Sequence, residues 1–165
     1  MEFDVATFSN AGGRRYNEDS VGYLTEEGSG IFVVADGLGG HEHGEVASSC
    51  ARDVMLEGWT PAERAGAYPV MQYRDAAQGQ EEPGESGRAA WLAERACEAN
   101  LRILALQEES GSVLKSTLAA LALDGDRAVW AHVGDTRIYY LHRGWVREVT
   151  EDHSVAYKKY KAGEI

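Results

Sequence analysis

Residues 31–45 read IFVVADGLGGHEHGE. The run Ile31-Phe32-Val33-Val34-Ala35 has the length and β-branched content of a buried strand. It ends on a carboxylate, Asp36, followed by Gly37-Leu38-Gly39-Gly40. A charge at the end of a buried strand is unfavourable unless something pairs with it. The glycines leave room beside it for a close approach to the backbone. A carboxylate on a rigid strand next to bare peptide groups suits a hard metal ion or a phosphate; an isolated Asp-Gly more often just begins a turn.

Upstream, Glu2 to Ser9 alternates loosely, with Phe3 and Val5 on one face, and predicts a first strand. Asn10-Ala11-Gly12-Gly13 breaks it, and a polar cluster follows, Arg14-Arg15-Tyr16-Asn17-Glu18-Asp19-Ser20. Val21 to Thr25 is a second short strand. The turn residues 26–30 then make it one arm of an antiparallel hairpin whose other arm is Ile31 to Ala35. That pairing predicts that the Asn17-Glu18-Asp19 end of one strand lies beside the Asp36 end of the other.

Downstream, Glu45 to Trp59 predicts a helix with an apolar face of Val46, Cys50 and Val54 beside Ala47, Ala51 and Met55, stopped by Thr60-Pro61. Its free N–H groups would point back towards the glycine loop. Residues 62–87 lack a clear period, and the breaker-rich 78–87 reads as a solvated loop. A second helix is predicted over Arg88 to Glu108, capped by Ser86 and ended by Gly111. Its stripe is Leu92, Ala96, Ala99, Ile103 and Leu106, broadened by Trp91, Leu101 and Leu104.

From Val113 the pattern turns to strands: Thr117 to Leu123, a turn at Asp124-Gly125-Asp126, Ala128 to Val133, then Arg137 to Leu141 and Trp145 to Val149 around His142-Arg143-Gly144. A short helix, Val155 to Ala162, closes at Gly163. Hairpins, a helical pair and more hairpins predict an α+β domain, antiparallel sheets with helices packed outside.

Bulk composition narrows the function classes. The 165 residues are one domain's worth of chain, and 44% apolar with 26% charged residues is ordinary for a globular protein. A formal net charge of -11 would repel a phosphate backbone, which argues against nucleic-acid binding. No apolar run is long enough for a bilayer and the N-terminus is unlike a signal peptide, so no membrane partner and a cytoplasmic location are expected. Cys50 and Cys97 are expected to be buried free thiols in a reducing compartment.

Four polar clusters fall at strand ends: Arg14 with Asn17-Glu18-Asp19, Asp36-Gly37, Gly134-Asp135, and Glu151-Asp152-His153. Carboxylates without clustered cysteines favour Mg²⁺ or Mn²⁺ over zinc, and His41 with His43 makes only a weak zinc pair. The glycine loop lacks the Gly-Lys-Ser/Thr of a P-loop and the spacing of a dinucleotide fingerprint. Consecutive Asp152-His153-Ser154 cannot form a relay, because their side chains diverge along the backbone.

In this order, Arg14-x-x-Asn17-Glu18-Asp19, Asp36-Gly37-Leu38-Gly39-Gly40-His41 with Gly44-Glu45-x-Ala47-Ser48, Ser116-Thr117, Val133-Gly134-Asp135-Thr136-Arg137-Ile138-Tyr139 and Thr150-Glu151-Asp152-His153-Ser154 resemble the metal-dependent Ser/Thr protein phosphatases of the PPM (type 2C) family, in its bacterial form. The resemblance implies an antiparallel β-sandwich flanked by antiparallel helices, in α-β-β-α layers, with a site for two Mn²⁺ or Mg²⁺ ions at one end. It implies that Asp36 bridges both ions, that Gly37 offers its carbonyl to one, and that a side chain at Gly37 would be in the way. Glu18 and Asp19 would orient metal-bound waters, Arg14 would hold the substrate phosphate, and a hydroxide between the ions would attack phosphorus in line. The substrate would be a phosphorylated protein, at phosphoserine or phosphothreonine. Asp135 and Asp152-His153 are assigned to the scaffold. Two features depart from the family. Leu38 stands where some members carry a histidine proposed as general acid. The family's later metal-ligand aspartates have no counterpart in these residues. The expectation is therefore one phosphatase domain over residues 1–165, its N-terminal portion without the C-terminal strands. The alternative is a phosphatase-like binding or regulatory module with impaired catalysis.

Overall fold

The computed structural model describes residues 2–38, 43–59 and 86–165. Strands β1 (Asp19–Glu26) and β2 (Ser29–Leu38) form the predicted hairpin around Glu27-Gly28, where Gly28 takes a φ of 77° that a β-carbon would resist. β2 pairs on its other edge with β4 (Leu118–Asp124), and β4 with β5 (Arg127–Val133); with β3 (Lys115–Ser116), which pairs with the end of β2, they form one antiparallel sheet in the order β1-β2-β4-β5. β6 (Tyr139–His142) and β7 (Trp145–Val149) form a separate hairpin. Helices α1 (Gly44–Leu56), α2 (Ser86–Ser110) and α3 (Val155–Lys161) complete the described elements.

Alternation along β2 sets the layers. Ile31, Val33 and Ala35 are buried against the helices, so Phe32, Val34 and Asp36 belong to the opposite face. α1 packs on β2 and β1, and α2 packs on α1. Between helices and sheet lies a core that includes Ala47, Val54, Met55, Leu92 and Ala120. The other face carries Phe32, Leu121 and Trp130. A cleft of about 510 Å³ lined by Leu121, Trp130, Ile138 and Tyr140 separates part of this face from the β6–β7 hairpin. The expected α+β class holds, with antiparallel strands and helices outside them.

Several boundaries differ from the sequence reading. No ladder forms over Glu2 to Ser9, so the alternating segment is not a strand: it has no pairing partner among the described residues, although Phe3 still meets Phe32 edge-on at 5.7 Å. α1 ends at Leu56, before Trp59, because Gly58 turns the chain at a φ of 70° while the Trp59 ring stays in the core. Thr60, Pro61 and most of the expected 62–87 loop lie outside the described residues, as does His41; Ser86 and Gly87 are helical, not loop or cap. In α2, Leu101, Leu104 and Cys97 are exposed. At 100° per residue they lie well away from the Leu92, Ala99 and Ile103 stripe and cannot broaden it. Cys50 is half-buried, and neither cysteine is bridged. Gly111 ends α2 as predicted, at a φ of 66° with its N–H donating to the Gln107 carbonyl at 2.9 Å. Among the described residues no helix is long and apolar enough to cross a membrane.

Candidate active site

The β1–β2 register places Asp19 directly opposite Asp36. Side chains opposite each other in an antiparallel pair share a face, with Cβ atoms about 4.5–5.5 Å apart. The two carboxylates predicted to converge therefore do so on the face away from the helices. Burial lifts the Asp36 carboxyl above the ordinary carboxylate value; the Asp19 charge and a hydrogen bond between the two carboxyl groups add to this, Arg14 opposes it, and Asp135 adds to it. Asp36 thus feels Arg14, Asp19 and Asp135 together. Asp135, assigned to the scaffold from sequence, lies within electrostatic reach of this site.

Local hydrogen bonds bring each residue there. Arg14 sits in the turn after Gly12, its N–H donating to the Ala11 carbonyl at 3.0 Å. The Asn17 side chain accepts the Asp19 N–H at 3.2 Å and donates to Ser9 Oγ at 2.7 Å, fixing the entry to β1. The Glu18 carbonyl accepts the Gly37 N–H at 3.0 Å and the Ser48 hydroxyl at 2.6 Å. Ser48 is fully buried on α1, so the helix, β1 and β2 are tied together beneath the site. The Glu18 carboxyl lies against Gly44, at the positive end of α1: a β-carbon on Gly44 would come within 2.8 Å of Glu18 Oε1. The residue before it, His43, takes a φ of 108°, an uncommon conformation for a non-glycine residue.

The glycine after Asp36 has a steric cause visible within the protein. A β-carbon on Gly37 would stand 2.0 Å from the Gly44 carbonyl oxygen and 2.8 Å from that of Glu18. The side chain excluded at Gly37 would collide with the start of α1 itself.

On the far side of β2, the Asp36 N–H donates to Thr117 Oγ1 at 2.9 Å, and the Thr117 N–H donates to the Asp36 carbonyl at 2.8 Å. Thr117 Oγ1 is 2.5 Å from Thr136 Oγ1. Gly134, with a φ of 99°, lets Thr117 approach: a β-carbon there would lie 2.7 Å from Thr117 Cγ2. The Gly134 carbonyl in turn accepts the His153 N–H at 2.8 Å. Gly134→Ala is expected to lower stability by about 2 kcal/mol through the left-handed φ and this collision, measurable by chemical denaturation.

The last polar cluster has a different use. Arg137 grips Asp152 with a two-pronged bond at 2.6 and 2.8 Å, which holds the Asp152 carboxyl below its usual range. Lys161 pairs with Glu151 at 2.7 Å. His153 stacks on His132 with ring centroids 4.4 Å apart. These contacts tie the 150–153 segment to Arg137, to α3 and to His132 on β5. Ser48, Thr117 and Thr136 stand in the sequence motifs with no role that local pattern assigns; a hydroxyl at the edge of an apolar run is the available signal.

The convergence of Asp19 and Asp36 fits a hard divalent cation. A carboxylate whose proton affinity is raised by burial and by a second acid beside it is relieved by a positive charge, and the all-oxygen donor set disfavours a thiophilic metal. Among the described residues no group of three His, Cys, Asp or Glu side chains closes on one point.

The family model described as Protein phosphatase 2C matches residues 9–161. The serine/threonine phosphatase stp of Listeria welshimeri is 31% identical over 155 residues, 92% of this chain and 55% of that protein. Protein phosphatase PhpP of Streptococcus pneumoniae is 27% identical over 165 residues, 98% of this chain and 60% of that protein. The chain thus spans just over half the length of these curated relatives. Among solved structures, the catalytic domain of the serine/threonine phosphatase PstP in complex with two manganese ions superposes with a TM-score of 0.68 at 26% identity, covering 92% of this chain and 56% of that one. Stp1 from Staphylococcus aureus has the same fold, with a TM-score of 0.71 at 24% identity over 100% of this chain and 62% of that one. With the paired acids, the glycine contact and the strand-end loops in the order the sequence predicted, the chain belongs to the protein phosphatase 2C family.

Proposed function

We propose that the chain is the N-terminal portion of a single metal-dependent phosphatase domain acting on phosphoserine and phosphothreonine in proteins. The observation that carries this reading is the pairing of Asp19 with Asp36 under the charge of Arg14. Two acids that could hold a cation and an arginine that could hold a phosphate stand within electrostatic reach of one another there. Asp36 would bridge two Mn²⁺ or Mg²⁺ ions, Gly37 would present its carbonyl to one, and Glu18 and Asp19 would orient the surrounding water. When bound, such ions neutralise phosphoryl oxygens and bring the pKa of water towards neutrality. Arg14, on an exposed turn, would bind and orient the incoming phosphate with its planar fork. With Leu38 exposed beside the site and offering no proton, the leaving oxygen would take its proton from solvent. A cytoplasmic location is in keeping with two unbridged cysteines.

The test is Mn²⁺-dependent release of phosphate from a phosphothreonine peptide by the protein. Arg14→Ala is expected to lower kcat/KM about 10–100-fold, mostly through KM, since a charged hydrogen bond to phosphate contributes about 1.5–3 kcal/mol. Peptide binding without phosphate release would instead favour the non-catalytic module.

A further inference from the structure

We infer that Thr117 is a positioning residue for Asp36, acting through a break in the ladder that pairs β2 with β4 and β3. This rests on the reading of Asp36 as a cation ligand. β4 pairs with β2 up to Val34↔Ala119, and β3 resumes at Gly37↔Ser116 in the same register. The interruption therefore covers Leu118 and Thr117, and register sets Thr117 opposite Asp36. In an unbroken ladder the Asp36 N–H would bond to the Thr117 main-chain carbonyl. Here that carbonyl accepts the Ser116 hydroxyl at 2.8 Å, and the Thr117 side-chain oxygen takes the Asp36 N–H. The other half of the exchange is intact, because the Thr117 N–H still donates to the Asp36 carbonyl. The Ser116 hydroxyl also reaches the Asp36 carbonyl, at 3.2 Å.

The substitution makes the Asp36 peptide depend on a side chain that has a second commitment. Thr117 Oγ1 is bonded to Thr136 Oγ1, next to Asp135 on the loop after β5. Gly134, which must lack a β-carbon for Thr117 to fit, anchors that loop to His153. The Asp36 backbone is thereby locked to the Asp135 loop through two hydroxyls, and the spacing of the two acids follows from that lock. A valine at 117 keeps the shape and removes the hydroxyl, leaving the Asp36 N–H without its acceptor and the loop without its tie.

Mn²⁺ affinity, measured by calorimetric titration of the protein, separates a positioning role from a merely structural one. Loss of a group that orients a metal ligand typically weakens affinity about 10–100-fold. Thr117→Val is expected to weaken Mn²⁺ binding by that factor, and Thr117→Ser, which restores the hydroxyl, to recover most of it. A Thr117→Val protein with a lower melting temperature but wild-type Mn²⁺ affinity would overturn the inference, as would failure of serine to rescue. Should Thr117→Val not fold, Thr136→Val decides: several-fold weaker binding supports the lock and unchanged binding refutes it. Asp36→Asn is the control. Undiminished Mn²⁺ binding there would show that the cation reading itself had failed, whereas its loss beside an unaffected Thr117→Val would sink only the role of Thr117.

Discussion

Asp36→Asn is expected to reduce Mn²⁺-dependent hydrolysis of a phosphothreonine peptide by about 1,000-fold, the loss of roughly 4 kcal/mol of transition-state stabilisation, as steady-state kinetics will show. The asparagine keeps the size and the backbone bonds to Thr117, and removes the charge that two cations would share. The same variant is expected to be more stable than the wild type when metal is absent. In the folded protein the Asp36 carboxyl titrates above its ordinary value of 3.8, through burial and then the Asp19 charge. A carboxyl raised on folding supports the folded state fully below its unfolded pKa and loses that support as the pH rises through the folded value. At pH 7 the charged Asp36 therefore opposes folding, whereas a neutral asparagine in its place does not. Melting curves in chelator are expected to place Asp36→Asn above wild type at pH 7, with the gap closing as the pH falls towards 3.8. An unchanged gap across that range would show that Asp36 is not held against its partner acid.

Gly37→Ala carries the largest expected effect on stability. The added methyl group would meet the Gly44 carbonyl oxygen at 2.0 Å, the Gly44 carbonyl carbon at 2.4 Å and the Glu18 carbonyl oxygen at 2.8 Å. All three are backbone atoms, two at the start of a helix and one at the start of a strand, so no rotamer change relieves the clash. A loss of about 3 kcal/mol or more is expected, read from chemical denaturation. The contrast is Gly22, whose β-carbon would meet only Arg52 and Leu56 side-chain atoms at 2.8 Å, the former on a long flexible chain. Gly22→Ala is expected to be the milder of the two.

The Asp36-Gly37 step and its meeting with Glu18 and Asp19 were legible in the sequence, because a strand period of two and a short turn leave little choice of register. Likewise the α1 face followed from its four-residue spacing. What made Gly37 necessary was not legible: the obstacle is the backbone at Gly44, seven residues on, and no spacing in the sequence shows that the fold brings it there. Thr117 was hidden for the same reason. Its hydroxyl serves an amide 81 residues earlier and a hydroxyl 19 residues later, and neither relation leaves a local pattern. The segment from Glu2 to Ser9 had the alternation of a strand without a partner to pair with, and alternation alone does not make a ladder. In α2, apolar composition alone does not separate stripe from surface; the 100° step puts Leu101 and Leu104 on the solvent side.

Binding of a divalent cation at the Asp19–Asp36 strand-end pair is the step on which the proposed activity rests. Its most direct test is the melting temperature of the protein with and without saturating Mn²⁺. At a free concentration about 100 times the dissociation constant, binding stabilises by about 2.7 kcal/mol, a rise of about 5–10 °C for a chain of this size. The wild type is expected to show that rise and Asp36→Asn to lack it; an equal rise in both would mean that the pair does not receive the cation.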